Sequence, residues 1–285
     1  MERLWTPWRM PYVGGDAGES RCIFCDRLAA TDDVASLIVH RGESAFAIMN
    51  LFPYNTGHLM LVPNAHVASP EESETSVLAE IAMMKAPLLC ALRRVLNCDG
   101  FNLGTNVGAV AGAGIADHVH EHIVPRWQGD ANFMPILAAT MVLPELIPVT
   151  YAKIRAEVAR ELRGQARMTC LVFAENERSI LVRAETGGMA LPIAGALPDQ
   201  ALWRAAHQTL QEILAGQLVI AGWGGSPDAR DADIALSYRY SGNVEGALPK
   251  PYRWVPIADS QIATTGGGEM IAAAVATLRL YGRVE

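Results

Sequence analysis

The chain lacks the long apolar runs of membrane proteins. Although 51% of its 285 residues are hydrophobic, no uninterrupted apolar stretch approaches the ~20 residues of a membrane span. It also lacks a long basic run, and its formal net charge of −7 argues against a dedicated nucleic-acid binder. The N-terminus shows no basic-then-apolar signal peptide. We therefore expect a cytoplasmic protein that uses neither membrane nor nucleic acid as partner and holds anionic ligands by local donors.

Cysteine is scarce, with five residues in the chain, which agrees with a reducing compartment rather than a disulfide framework. Cys22 and Cys25 form a C-x-x-C pair with three interpretations: a redox dithiol, half of a zinc site, or two buried thiols. A redox dithiol normally opens a helix after a strand, whereas an irregular, Gly-rich segment precedes this pair. Half a zinc site needs two more ligands, for which His66 and His118 are the candidates.

Histidine is concentrated in one stretch. Three of the seven histidines occupy alternate positions within residues 117–127, namely His118, His120 and His122. Such alternation is typical of a β-strand and places all three side chains on one face. A row of imidazoles is poor core material, because each buried ring nitrogen needs a partner. The row therefore indicates metal ligation, or nucleophilic and acid–base chemistry near pH 7. His40 and His58, outside this stretch, are interpreted as structural or exposed residues.

A run rich in glycine and alanine, residues 107–117, directly precedes the histidines. Glycine lets the backbone approach a ligand closely and present its N–H groups to an anion. Taken alone, such a run is more often a flexible loop. Its position directly before three histidines favours a phosphate cradle, with Gly112 and Gly114 as candidate donors.

The hydrophobic pattern of the first half predicts an α+β fold. A helix over residues 71–96 is predicted by apolar residues at three- and four-residue steps, with acidic residues at its start and basic residues at its end. A second helix, over residues 144–163, is expected to close the domain. Strands are predicted at residues 36–40, 45–50, 58–63 and 100–105, besides the histidine strand. This order gives an antiparallel sheet with a helix against it.

The histidine row, with apolar residues between and after its histidines, resembles the His-φ-His-φ-His-φ-φ motif of the histidine-triad family of nucleotidyl hydrolases and transferases. Residues 4–9, 50–58 and 129–135 resemble the bacterial branch that includes diadenosine tetraphosphate phosphorylases. The resemblance assigns residues 1–165 to a histidine-triad domain with an antiparallel sheet and implies a homodimer. One departure is Glu121, where the family usually carries an apolar or aromatic residue. Because Glu121 lies on the face opposite the imidazoles, we expect it to affect packing or an interface.

The resemblance implies covalent catalysis on a small nucleotide substrate. His120 would attack the α-phosphorus to give a nucleotidyl-histidine, with its other ring nitrogen held by a backbone carbonyl on a neighbouring strand. His122, Asn106 and the glycine N–H groups would contact the phosphate oxygens and stabilise developing charge. Asn50 is assigned to the ribose or phosphate, although a turn asparagine explains its position equally well.

Dinucleoside polyphosphates such as diadenosine tetraphosphate are the favoured substrates, because the matching segments belong to that branch. The alternatives are a nucleoside phosphoramidate hydrolase, a nucleotide-sugar nucleotidyltransferase and a non-catalytic nucleotide sensor. Gly114 lies close to where relatives place a serine or glutamine that assists the leaving group, so leaving-group preference stays open. The intact triad favours an enzyme.

For the C-x-x-C pair, the resemblance implies zinc held by Cys22, Cys25, His66 and His118. Two cysteines and two histidines are a standard structural zinc set. Zinc on His118 would fix the histidine strand and thereby orient His120, two residues further on.

The pattern changes at residue 166. Strands are predicted at residues 168–174, 179–183, 218–223, 234–240 and 254–257, with helices at 199–214 and 268–280. This order resembles a Nudix domain of the α/β/α type, although only Glu212 matches the glutamates of the Nudix box. One carboxylate cannot hold the magnesium cluster of such hydrolases. We therefore expect residues 166–285 to form a Nudix-like domain without that catalysis, with an unrelated α+β domain as the alternative.

Overall fold

The computed structural model divides the chain into two compact units, Met1–Ile147 and Pro148–Glu285. It describes residues 22–130, 144–164, 167–176, 178–186, 188–197, 199–222, 224–225, 234–257 and 268–281. Two segments that carry the resemblance to the phosphorylase branch, residues 4–9 and 131–135, lie outside the described residues.

The first unit contains a five-stranded sheet whose described strand pairs are all antiparallel, in the order β1-β2-β3-β5-β4. The strands are β1 (Ile38–Arg41), β2 (Ala45–Met49), β3 (Leu59–Pro63), β4 (Gly100–Thr105) and β5 (Glu121–Arg126). β2 and β3 are buried along their whole length, as their nearly unbroken apolar sequences require. The sheet confirms the predicted α+β fold of this unit.

Among the described residues of this unit, three α-helices accompany the sheet: α1 (Ile23–Ala29), α2 (Asp33–Ser36) and α3 (Thr75–Leu96). α3 begins later than predicted because Pro70–Glu72 forms a separate 3₁₀ turn. Its buried residues form one stripe that includes Met84, Leu88 and Leu92, and it contacts β2 and β3. By length and composition α3 would suffice for a membrane span. A core helix can meet the same criterion, and α3 contacts two strands of the sheet.

The histidine strand is shorter than predicted, because β5 begins at Glu121 and includes only His122 of the triad. His118 and His120 lie in the irregular segment ahead of β5. The pairing of β5 with both of its neighbours ends at Glu121. Beyond that point the N–H of Val119 donates to the carbonyl of Val67, in the loop after β3, at 2.7 Å. Ahead of β5, a hydrogen bond to the loop after β3 therefore replaces the hydrogen bonds between strands.

The second unit is rich in strands. Its described helices are α4 (Ile147–Arg163), α5 (Leu202–Ile213) and α6 (Gly268–Tyr281). Its described strands are β6 (Arg167–Ala174), β7 (Ser179–Glu185), β8 (Gly188–Ala190), β9 (Ile193–Gly195), β10 (Gln217–Gly222), β11 (Ala235–Ser241) and β12 (Tyr252–Pro256). The main sheet runs β10-β11-β6-β7-β12; β11 and β6 are parallel, while β8 and β9 pair with β7 and β6. One core includes Ala156 of α4, Leu210 of α5 and Leu236 of β11.

The contacts of α4 place it with the second unit from Pro148 onward, so the prediction that this helix closes the first domain is wrong. Glu212 lies exposed on α5. Within the described part of the second unit, no group of three or more His, Cys, Asp or Glu side chains is close enough to hold a metal. The Nudix-like identity of this unit stays a prediction.

Candidate functional site

Four potential metal ligands meet at one end of the sheet. Cys22 immediately precedes α1 and Cys25 lies within its first turn. His66 follows β3, and His118 precedes β5. Their ligand atoms all lie within 4.8 Å of one another. The structure therefore brings together the four residues that the resemblance assigned to zinc.

The distances within this cluster suit a tetrahedral ion. Nδ1 of His118 lies 3.2 Å from Sγ of Cys22 and 3.6 Å from Sγ of Cys25, and Nδ1 of His66 lies 3.4 Å from Sγ of Cys25. Zinc–sulfur and zinc–nitrogen bonds of usual length give sulfur–nitrogen edges of ~3.6 Å in a tetrahedron. Nε2 of His118 donates to the carbonyl of Pro63 at 2.9 Å. Since one nitrogen of a neutral imidazole carries the proton, Nδ1 presents its lone pair to the sulfurs.

His120 is held in one tautomer by the backbone. Its Nδ1 lies 2.9 Å from the carbonyl oxygen of His118. A carbonyl oxygen can only accept, so Nδ1 carries the proton and Nε2 carries the lone pair. Burial lowers the pKa of His120, so the ring is neutral at pH 7. The prediction that this acceptor lies on a neighbouring strand is wrong. The acceptor is the carbonyl of His118, two residues earlier, because residues 118–120 do not pair with a described strand.

Phe24 joins the metal cluster to His120. It lies between the two cysteines in the sequence and is 2% exposed. Its ring centroid lies 5.4 Å from that of His118, edge to face, and 5.0 Å from that of His120. These are ordinary aromatic packing distances. A shift of α1 would therefore change the packing of both imidazoles.

His122 is oriented by a fourth histidine, His58, which is fully buried. The N–H of Tyr54 donates to Nδ1 of His58 at 3.1 Å, so the proton of the neutral ring is on Nε2. That nitrogen lies 2.9 Å from Nδ1 of His122. His122 must therefore accept at Nδ1 and carry its own proton on Nε2. Burial, then the neighbouring His122 and His120, lower the pKa of His58 to about 3.

The sequence analysis set His58 apart from the histidine stretch as a structural or exposed residue; the exposed alternative is wrong, and the buried ring is bonded to His122 of the triad. The sequence feature that could have indicated this role is the position of His58 directly before β3, an otherwise apolar and buried strand. Met60 of β3 pairs with His122 of β5, and residues two apart share a face. This places His58 beside His122. The strand pairing that creates the contact is not visible in one sequence.

The candidate nucleotide-binding residues lie in two loops. Oδ1 of Asn50 accepts from the N–H of Phe52 at 2.9 Å, which is the turn role left open as its alternative. Asn106 directly follows β4 and is half-buried. Gly112 ends the 3₁₀ turn Ala109–Ala111 with a φ of +86°, a left-handed conformation that favours glycine. Gly114 lies exposed in the same loop.

Glu121, the departure from the family motif, faces away from the imidazoles. Its carboxylate lies 2.8 Å from Nζ of Lys85 on α3, and both side chains are partly buried. The pair connects β5 to the helix that packs beneath the sheet. Glu121 therefore acts in packing, as expected.

Comparison with known proteins places the first unit in a family. The family model of the HIT domain matches residues 32–129. A protein named AP-4-A phosphorylase from Mycobacterium tuberculosis (strain CDC 1551 / Oshkosh) is 36% identical over 168 residues, which are 56% of this chain and 86% of that relative. Adenylylsulfatase HINT3 of Arabidopsis thaliana is 32% identical over 113 residues, 39% of this chain and 55% of the relative.

Among solved structures, a zinc-bound histidine-triad family protein from Mycobacterium smegmatis is 22% identical, with a TM-score of 0.41, and covers 52% of this chain and 100% of its own. The sequence matches extend over the triad and most of the first relative's length. The chain therefore belongs to the HIT family, named for the histidine triad.

Proposed function

We propose that the chain is a nucleotidyl hydrolase or transferase that acts on dinucleoside polyphosphates, such as diadenosine tetraphosphate, through a covalent intermediate on His120. As a HIT family member it is a nucleotide hydrolase or transferase. The relative named AP-4-A phosphorylase, at 36% identity, favours the dinucleoside polyphosphate. The hydrogen bond from Nδ1 of His120 to the His118 carbonyl carries the assignment of the nucleophile, because it leaves the lone pair on Nε2.

In the first step, Nε2 of His120 attacks the α-phosphorus of one nucleotidyl group. A nitrogen–phosphorus bond forms, and the bond from that phosphorus to the bridging oxygen breaks, so the other nucleoside leaves with the remaining phosphates. The substituted imidazole gains positive charge. The carbonyl of His118, 2.9 Å from Nδ1, accepts a stronger hydrogen bond from the charged ring. In the second step phosphate or water attacks the same phosphorus and releases neutral His120.

His122 is proposed to donate from Nε2 to a non-bridging oxygen of the α-phosphate. The hydrogen bond between His58 and His122 supports this role, because it places the proton of His122 on Nε2. Donors aimed at the developing charge stabilise the transition state more than the substrate. Asn106, Gly112 and Gly114 are proposed as further phosphate donors, and Asn50 as a contact of the ribose or phosphate.

We propose that Cys22, Cys25, His66 and His118 hold a structural zinc ion. The sulfur–nitrogen distances of 3.2–3.6 Å and the fixed tautomer of His118 support the fit. A bound zinc ion would supply cross-linking between α1, the loop after β3 and the segment before β5. By fixing the start of α1, Cys22 and Cys25 would hold Phe24 against His120.

The homodimer implied by the resemblance is likewise a proposal. Edge strand β4 carries Leu103, which is 45% exposed, and the following loop carries the fully exposed Val110. Among the described strands β4 has a neighbour on one side only, and a sheet edge with exposed apolar side chains favours pairing with a second copy. Light scattering of the purified protein at micromolar concentration is expected to give twice the mass of the chain; a monomer mass would contradict the proposal.

The activity is tested with diadenosine tetraphosphate, supplied with and without inorganic phosphate, and products separated by chromatography. ADP and ATP that appear only with phosphate indicate a phosphorylase, whereas AMP and ATP indicate a hydrolase. His120→Ala is expected to lower kcat by at least about 10³-fold, because it removes the nucleophile. His40→Ala, on β1 of the same sheet, is the matched control and should keep wild-type turnover. Equal turnover by His120→Ala and wild type would overturn the assignment.

The metal proposal is tested by elemental analysis of the purified protein and by thermal unfolding. We expect one zinc per chain, lost in Cys25→Ser and kept in Cys90→Ser, a change at an exposed cysteine away from the cluster. Metal at a thousandfold excess over its Kd stabilises a fold by about 4 kcal/mol. Chelation should therefore lower the Tm of wild type and leave that of Cys25→Ser unchanged. Stoichiometric zinc in Cys25→Ser at wild-type affinity would contradict the four-ligand site.

A further inference from the structure

The loop between β2 and β3, residues 50–58, is tied to β5 at two separate points. The first tie is the hydrogen bond between His58 and His122 already described. The second is the side chain of Asn55. Its Nδ2 lies 2.9 Å from the carbonyl oxygen of Pro125 and 2.9 Å from Oδ2 of Asp130. Both acceptors belong to the end of β5 and the turn that follows it.

Asp130 is itself held rigidly by the strand. Arg126 of β5 donates to it through two nitrogens, with Nε 2.6 Å from Oδ2 and Nη2 2.6 Å from Oδ1. The N–H of Trp127 donates to Oδ2 at 3.1 Å. These hydrogen bonds, that from Arg126 foremost, lower the pKa of Asp130 to about 2. The carboxylate is therefore a fixed, charged acceptor, and a bidentate arginine contact gives it a defined orientation.

Asn55 also belongs to the frame that holds His58. The N–H of His58 donates to the carbonyl of Asn55 at 3.1 Å. The N–H of Tyr54, one residue before Asn55, donates to Nδ1 of His58 at 3.1 Å. A displacement of Asn55 therefore moves both the backbone contact and the ring contact of His58. A continuous path of hydrogen bonds runs from Asp130 through Asn55 and His58 to His122.

We propose that Asn55 and Asp130 are positioning residues, which clamp the loop of residues 50–58 onto β5 and so keep His58 bonded to His122. Neither side chain needs to touch substrate. The clamp holds His122 in the orientation and tautomer that present its Nε2 proton. The kinetic consequence rests on the proposed function, whereas the geometric consequence is present in the resting protein.

The test compares Asn55→Ala and the isosteric Asn55→Asp with the matched control Asn102→Ala. Asn55→Ala removes both contacts of the side chain, and Asn55→Asp replaces a donor with a second carboxylate beside Asp130. Asn102 lies on β4, outside the loop of residues 50–58, and accepts from Nη1 of the same Arg126 at 2.6 Å. The control therefore perturbs the arginine without releasing Asn55.

The first readout is the ¹H–¹⁵N signal of the imidazole proton on Nε2 of His58, recorded by NMR without substrate. In wild type and Asn102→Ala this proton is expected to be hydrogen-bonded and slow to exchange. In both Asn55 variants the signal is expected to be lost to exchange with water. Melting temperature and circular dichroism, recorded on each variant, separate loss of the clamp from loss of the fold.

The second readout is turnover of diadenosine tetraphosphate. The Asn55 variants are expected to lose about 10- to 100-fold in kcat, the size of effect that misplacement of a group by about 1 Å produces. KM should change little, because a donor to developing charge acts mainly in the transition state. Asn102→Ala should keep both parameters.

The outcomes separate the two proposals. A retained His58 signal in folded Asn55→Ala and Asn55→Asp overturns the clamp, whatever the kinetics show. Equal loss of the signal in Asn102→Ala also overturns it, since the effect would then come from the arginine network as a whole. If wild type does not turn over the dinucleotide, the proposed function fails, and the NMR comparison still decides the clamp.

Discussion

The hydrogen bonds of the buried imidazoles govern the chemistry of the first unit. A buried neutral imidazole needs an acceptor for its one N–H group, and the choice of acceptor decides which nitrogen keeps a lone pair. His118 uses the carbonyl of Pro63, His120 the carbonyl of His118, and His58 the ring of His122. Burial keeps these rings neutral by lowering their pKa values. These contacts leave a lone pair on Nδ1 of His118, a lone pair on Nε2 of His120 and an N–H group on Nε2 of His122, the three atoms to which the proposed function assigns a ligand, a nucleophile and a donor.

Two supports hold this arrangement. The first is α1, which packs Phe24 against His118 and His120. The second is the loop of residues 50–58, which brings His58 against His122, and Asn55 fixes that loop to the end of β5. Rigid placement matters because a reacting group displaced by about 1 Å loses much of its effect. The supporting residues lie in α1 and in the loop between β2 and β3.

The features that depend on local sequence patterns were predicted from the sequence. The apolar strands β2 and β3, the helix α3 and the α+β fold follow from periodicity, and the family follows from the triad. The sequence did not predict what depends on strand register. The early end of the β5 ladder at Glu121, the same-segment acceptor for His120 and the contact of His58 with His122 all require knowledge of which strands pair. The Nudix-like identity of the second unit stays a prediction, since only Glu212 matched its motif.

The central claim is that Nε2 of His120 is the nucleophile. The most direct measurement is tandem mass spectrometry of protein quenched within milliseconds of mixing with diadenosine tetraphosphate, with phosphate withheld and the peptide that spans the triad isolated under mildly alkaline conditions. The account predicts one added adenylyl group, located on His120 and absent from His118 and His122. An adduct on another residue, or turnover with no adduct at any quench time, would contradict it.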